Sequence, residues 1–146
     1  MAFQAHVPEI AGVIQLAVAP VFMLTAVGTI IAALNIRLGR AVDRRRTLEE
    51  KIPRMLAEEV DSAREELATI ARRIRFVYVA IVFSVISGLF VCLVIASAFL
   101  GAFVQSDLSG AIGAMFSAAV LAVIVALLLF LHEIFLAVST PRHIPR

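Results

Sequence analysis

The sequence predicts an all-α integral membrane protein, with three transmembrane helices and the first two extended into a cytoplasmic antiparallel helical hairpin. Three observations predict it. Hydrophobic residues make up 62% of the 146 residues and charged residues only 16%, whereas soluble domains carry roughly 45–50% and about 25%. Three apolar runs each reach the roughly 20 residues a helix needs to cross a bilayer core. Finally, all but two of the 13 lysines and arginines lie between positions 37 and 75. An ordinary soluble domain, a disordered chain and a typical nucleic-acid binder are excluded on composition, and the length allows one small membrane domain over residues 1–146.

The first span covers about residues 10–34, broken among polar side chains only by Gln15, Thr25 and Thr29. The second covers about 76–100. After a short connection at 101–110, the third runs over about 111–134, crossing His132 and Glu133 near its end before a tail to residue 146. All three are too apolar all round to be surface helices, and none alternates as a barrel strand would. Lysines and arginines concentrate on the cytoplasmic side of spans. Residues 37–75 are therefore expected inside, the N-terminus with Glu9 outside, the connection with Asp107 outside, and the tail with Arg142 and Arg146 inside. The basic residues follow the first apolar run instead of preceding it, which argues against a cleavable signal peptide.

Residues 35–75 read as two helical arms. Leu34, Leu38, Ala41, Arg45, Leu48 and Ile52 step by four and three, as do Leu56, Val60, Ala63, Leu67, Ile70 and Ile74. Each set is a heptad seam, one on either side of Pro53. Proline disfavours helix in the residue before it and suits the first turn of the next helix. At about 1.5 Å per residue the arms would project roughly 25–30 Å. Residues 35–46 carry net +4 and residues 58–66 net −4, so folding back at Pro53 brings Arg45 near Asp61 and Ala41 near Glu65. The partner arm can belong to the same chain or to another subunit. Thr47-Leu48-Glu49-Glu50 also has the form of a capping box, which would break the first arm near Arg46.

At about 100° per residue, Gln15, Val18, Phe22, Thr25, Thr29 and Arg40 share an arc of roughly 80° on the first helix, well away from its seam. They are candidates to line a water-filled axis in an oligomer, or to make ordinary helix–helix contacts. Pro20 falls mid-span and is expected to kink the helix. Ala114, Ala118, Ala122 and Ala126 form a small-residue ridge on the third span, Gly113 with Ser117 a second small pair, and Ser84 with Gly88 a third on the second span. Such residues let helices approach closely in lipid. Phe76, Phe83 and Phe90 repeat every seven residues on another face. Glu133 is the charge nearest a span, and an ionisable group there points to function or to a buried pair. Arg37 and Arg75 enter at a similar depth, so an Arg37–Glu133 or Arg75–Glu133 ion pair is expected. Together with Arg72 and Arg73 these arginines also suit anionic headgroups at the cytoplasmic face.

No catalytic or metal pattern is present. His6, His132 and His143 are dispersed, the single Cys92 reads as a small apolar packing residue, and His132-Glu133-Ile134-Phe135-Leu136 lacks the second histidine of a zinc motif. No serine in the spans has a base at its depth. No cofactor, no metal and no enzymatic activity are expected. No aromatic residues interleave with the arginines, so no nucleic-acid surface is expected either.

The first span with Ala19-Pro20-Val21-Phe22-Met23-Leu24, its exit Asn35-Ile36-Arg37-Leu38-Gly39-Arg40-Ala41-Val42-Asp43-Arg44-Arg45-Arg46, the re-entry Arg72-Arg73-Ile74-Arg75 and the late Leu131-His132-Glu133-Ile134 resemble the bacterial membrane proteins classed as domain of unknown function 2721. The likeness covers nearly the whole chain and is most specific at the arginine-rich exit with Asp43. It implies three spans in a bacterial inner membrane and supplies no activity. Arg37, Arg40, Asp43, Arg44 and Glu133 match its pattern without a role attached.

Two functions follow from the residues. One is a homo-oligomeric ion channel lined by Gln15, Phe22, Thr25, Thr29 and Arg40, with Arg44 also at the inner mouth. The alternative is a non-conducting adaptor or scaffold that acts through the charged hairpin.

Overall fold

A computed structural model of the chain describes residues 7–104 and 109–139. It is all-helical: α1 spans Val7–Lys51, a 3₁₀ turn spans Ile52–Arg54, α2 spans Ala57–Val104 and α3 spans Ser109–Ser139. All three α-helices are long and apolar enough to cross a membrane. At roughly 1.5 Å per residue the 45 residues of α1 and the 48 of α2 each run about 70 Å, more than twice a bilayer core of about 30 Å. The side chain of Glu9, the connection around Asp107, and the tail with Arg142 and Arg146 lie outside the described residues.

Sequence decides where the helices stop. Pro53 restricts Ile52 and has no N–H to donate, so α1 ends at Lys51 and a single tight turn follows. Met55 is extended at φ −81° and ψ 153°, with its N–H donating to the Ile52 carbonyl at 3.1 Å. The α2 helix then starts with Glu58 and Glu59 in its first turn, where the helix dipole favours carboxylates. The capping box at Thr47 does not form. Its hydroxyl donates back to the Asp43 carbonyl at 2.9 Å, and α1 runs on unbroken. The helix likewise continues through Pro20, which is buried.

The chain divides into two compact units. The first comprises Met1–Ile31 and Phe83–Ile124. Its core is built from small side chains. Val27, Val91, Val94, Ala119 and Ala122 are buried together with Ser84 and Ser87. The Ser87 hydroxyl donates to the Ala119 carbonyl at 2.8 Å, which ties α2 to α3. A Cβ added at Gly88 would meet Val27 at 3.7 Å and Leu24 at 3.9 Å, so α1 and α2 approach closely there. The expected alanine ridge is only half used: Ala122 and Ala126 are buried, but Ala114 is exposed. Steps of four drift by about 40° around a helix, so the ridge turns out of the contact and Ala119 replaces its outer members. Gly113 and Ser117 face away from the core, with the Ser117 hydroxyl bonded to its own helix at Gly113.

The second unit comprises Ala32–Val82 and Val125–Arg146. Leu48, Ala63 and Ile70 form one buried cluster, flanked by Ile52, Met55, Leu67 and Ile74. Leu34, Val77, Ala80 and Ala126 are buried nearer the apolar runs. Arg44 donates from Nε and Nη2 to one oxygen of Glu66 at 3.0 and 2.7 Å. The expected neighbours differ from this register. Arg45 bonds Glu49 on its own helix at 2.8 Å, and Asp61 lies 3.6 Å from Arg64. The reason is the turn. Five residues, 52–56, separate the two α-helices, and Pro53 lies early among them, so the Arg44–Glu66 pair is centred on residue 55 and not on Pro53.

The close approach at Ala119 makes a stability prediction. Ala119 is fully buried, so Ala119→Leu should destabilise the protein by about 1–3 kcal/mol through overpacking. Ser87→Ala should cost less, about 0.5–1 kcal/mol, because only one interhelical hydrogen bond is lost. Thermal midpoints in detergent should rank the two in that order.

Candidate functional site

The second unit holds the most demanding arrangement of charge in the molecule. Glu133 on α3 is only 2% exposed. Burying a carboxylate is costly unless it is paired and hydrogen-bonded. Both of its oxygens are satisfied, by different helices. Arg37 of α1 donates from Nη1 to Oε2 at 2.9 Å, and Arg73 of α2 donates from Nη2 to Oε1 at 2.8 Å. Each guanidinium side chain remains about a third exposed, at 38% and 31%. Arg37 also lies over the Phe130 ring, 5.0 Å from its centroid, a cation–π distance. One turn away the rings of Phe76 and His132 stand 4.9 Å apart, tilted by 55°.

These side chains border an open groove of about 490 Å³. Ala33, Ile36, Ala41 and Ile70 give it apolar walls, and Arg37, Arg40, Arg44 and Arg73 line it together with Glu133. Four guanidiniums against one carboxylate leave the lining net positive. Arg40 is exposed, and among the described residues no carboxylate pairs with it. The Nε of Arg73 is buried without an acceptor.

The family model described as protein of unknown function (DUF2721) matches residues 17–143. The chain belongs to this family. No curated protein and no solved structure matches it. The membership of the DUF2721 family supports a multi-pass membrane protein whose activity is unknown, and the matched range includes every charged residue of the groove.

The other residues singled out in this DUF2721 chain are placed as follows. Arg75 is exposed and makes no pair with Glu133; Arg73 takes that position. A wheel of α2 accounts for the exchange. Arg73 lies about 70° from the centre of the buried stripe of Ile70, Ile74 and Val77, whereas Arg75 lies about 130° from it. Helical phase, not nearness to the apolar run, selects the partner. Glu65 is exposed, and so is Asp61. Along the first helix Gln15, Thr25, Thr29 and Arg40 are exposed, and Phe22 is 72% exposed. The threonine hydroxyls do not await a partner. Thr25 donates to the Val21 carbonyl at 3.4 Å and Thr29 to the Thr25 carbonyl at 3.0 Å. Cys92 is exposed, which corrects its reading as a packing residue. It points away from the valines at 91 and 94 that are buried beside it in sequence.

Loss of the carboxylate should be felt strongly. Glu133→Gln leaves two guanidiniums facing each other and should destabilise the protein by about 2–3 kcal/mol, toward the low end for a broken buried pair because both arginines reach solvent. Arg73→Ala should lower the thermal midpoint comparably, and Arg75→Ala should leave it within about 1 °C. Equal effects at 73 and 75 would contradict the geometry.

Proposed function

We propose that the chain is a non-enzymatic adaptor of the bacterial cytoplasmic membrane, with its N-terminus outside, its C-terminus inside and residues 35–75 projecting into the cytoplasm as a folded helical hairpin. The eleven basic residues of that segment support the orientation. Lack of any nucleophile–base or metal pattern in the sequence supports the absence of catalysis.

One observation carries the adaptor reading. The hairpin seam is used up inside the chain, by Leu48, Ala63 and Ile70 and by the Arg44–Glu66 pair. The arms therefore need no second subunit to fold. What they leave outward is an acidic stripe: Glu58, Asp61 and Glu65 are exposed and fall within about 60° of one another, opposite the buried face of α2. Arg64 flanks it, 3.6 Å from Asp61, so the face is mainly acidic and suits a protein partner with a basic surface, where charge sets specificity and encounter rate.

A homo-oligomeric pore lined by the first helix is the second reading. The exposure of Gln15, Phe22, Thr25, Thr29 and Arg40 favours it. The internal hydrogen bonds of both threonines weigh the other way, because they let this face meet lipid without an unsatisfied donor.

The two readings separate in two measurements. As an adaptor the protein should be a monomer or dimer by native mass spectrometry and should pass no ions in liposomes. Four or more subunits with flux altered by Gln15→Leu or Thr25→Leu would instead establish the pore. Converting Asp61 and Glu65 to lysine should abolish partner cross-linking in cells while shifting the thermal midpoint by about 1 °C or less, since exposed charges contribute little to stability.

A further inference from the structure

We propose that the groove lined by Arg37, Arg40, Arg44 and Arg73 is a binding site for a single phosphate dianion of the phosphomonoester type. This goes beyond the adaptor reading and does not depend on it, since the acidic stripe and the groove share no residue.

The argument starts from what the clamp leaves over. Glu133 gives one oxygen to each of Arg37 and Arg73, so its bonding to them uses one nitrogen of each guanidinium. An arginine offers five N–H donors in a planar fork. Most of the donors of Arg37 and Arg73 are therefore unspent, yet both side chains are already held in place. The buried Nε of Arg73 has no acceptor at all, which is a cost that native structures ordinarily remove. Arg40 adds a further guanidinium with no carboxylate among the described residues. Among the described residues Arg44 pairs with Glu66 alone, and both side chains are substantially exposed, at 59% and 43%. Such a pair is weak and yields readily to a doubly charged competitor.

The carboxylate thus acts as a built-in brace. It pre-orders two of the four arginines, so a ligand does not meet the full entropic cost of collecting them. Tetrahedral oxyanions match this donor set best, because guanidiniums bind phosphate with paired, charge-assisted hydrogen bonds. The groove's volume of about 490 Å³ falls in the range of small-molecule sites. Ala33 and Ile36 continue its wall from the apolar run, so the lining is amphipathic, as a lipid headgroup would require. A soluble phosphate would use the arginines alone.

The test uses the full-length protein in nanodiscs of phosphatidylcholine, with or without a small fraction of phosphatidic acid, followed by native mass spectrometry of retained lipid. Wild type should retain one phosphatidic acid per chain. Arg40→Gln should weaken retention about tenfold, the effect of losing one charge with its hydrogen bonds. Arg75→Gln, which removes an exposed arginine beside the same apolar run but outside the groove, should leave retention unchanged. Among the described residues no carboxylate pairs with Arg40, so its replacement should not disturb stability. A parallel arm titrates inorganic phosphate into protein held in phosphatidylcholine alone. A rise in thermal midpoint that Arg40→Gln removes would assign the site to a soluble phosphate. Equal loss in the Arg40 and Arg75 variants would reduce the groove to general headgroup attraction and overturn the proposal. So would absence of both lipid retention and phosphate stabilisation.

Discussion

Glu133 is the constraint on which the second unit depends. A carboxylate that is 2% exposed can be tolerated only where both oxygens are answered. Here the answers come from two helices, so one side chain fixes the relative position of three helical segments. The clamp works through direction as well as charge. Oε2 accepts from α1 and Oε1 from α2, so neither helix can slide by a turn without stranding an oxygen. Phe130, one turn before Glu133, sits under Arg37 and further limits where that guanidinium can go. Buried pairs of this kind add little net stability over an apolar core, and their value lies in specifying one arrangement.

The same register runs along the fold-back. Arg37 with Arg73 and Arg44 with Glu66 are both centred on residue 55. Leu48 packs with Ala63 close to the same centre. The five-residue turn sets this centre, Glu133 secures its far end, and the apolar cluster fills the span between. A turn one residue longer or shorter would rotate α2 by about 100° and carry Arg73 away from the carboxylate. The conformation imposed by Pro53 on Ile52 and the extended backbone of Met55 are thus linked to an ion pair far from them in sequence.

Much of this was legible in the sequence, and the part that was not has a clear physical cause. Apolar length predicted three helices able to span a membrane, and the heptad steps placed Leu48, Ala63 and Ile70 on buried faces. The pairing of Glu133 with Arg37 could be expected from the cost of a charge near a span. Register could not, because periodicity fixes which face of each helix is apolar and says nothing of how many residues a turn consumes. Arg73 and Arg75 likewise lie at a similar depth, and only helical phase tells the paired one from the exposed one. Phase also shows why Glu133 is buried at all. Ala119, Ala122, Ala126 and Glu133 lie within about 60° on α3, so the carboxylate continues the buried alanine stripe. Thr47 illustrates a different limit. Its hydroxyl bonds equally well at a helix start or back onto the preceding turn, and the continuous seam on both sides of it decides for the latter.

The distribution of the remaining charge separates what folding needs from what it does not. Lys51 in the last turn of α1 and Glu58 and Glu59 in the first turn of α2 complement their helix dipoles. Arg44, Arg45, Glu49 and Glu66 hold one another. Arg37, Arg73 and Glu133 form the clamp. Outside these sets stand Arg40, Asp43, Arg46, Glu50, Arg54, Asp61, Arg64, Glu65, Arg72 and Arg75, of which Asp61 and Arg64 form a pair three residues apart. Asp61 and Glu65 lie beyond the reach of the α2 dipole, and Arg40 stands alone on the groove wall. Both signs stand near the turn, where Arg46, Arg54 and Arg64 lie beside Glu50, Asp61 and Glu65, whereas Arg40, Arg72 and Arg75 lie nearer the apolar runs. Arg40 alone among these borders the groove, so neither the clamp nor the pairs between helices account for its place there.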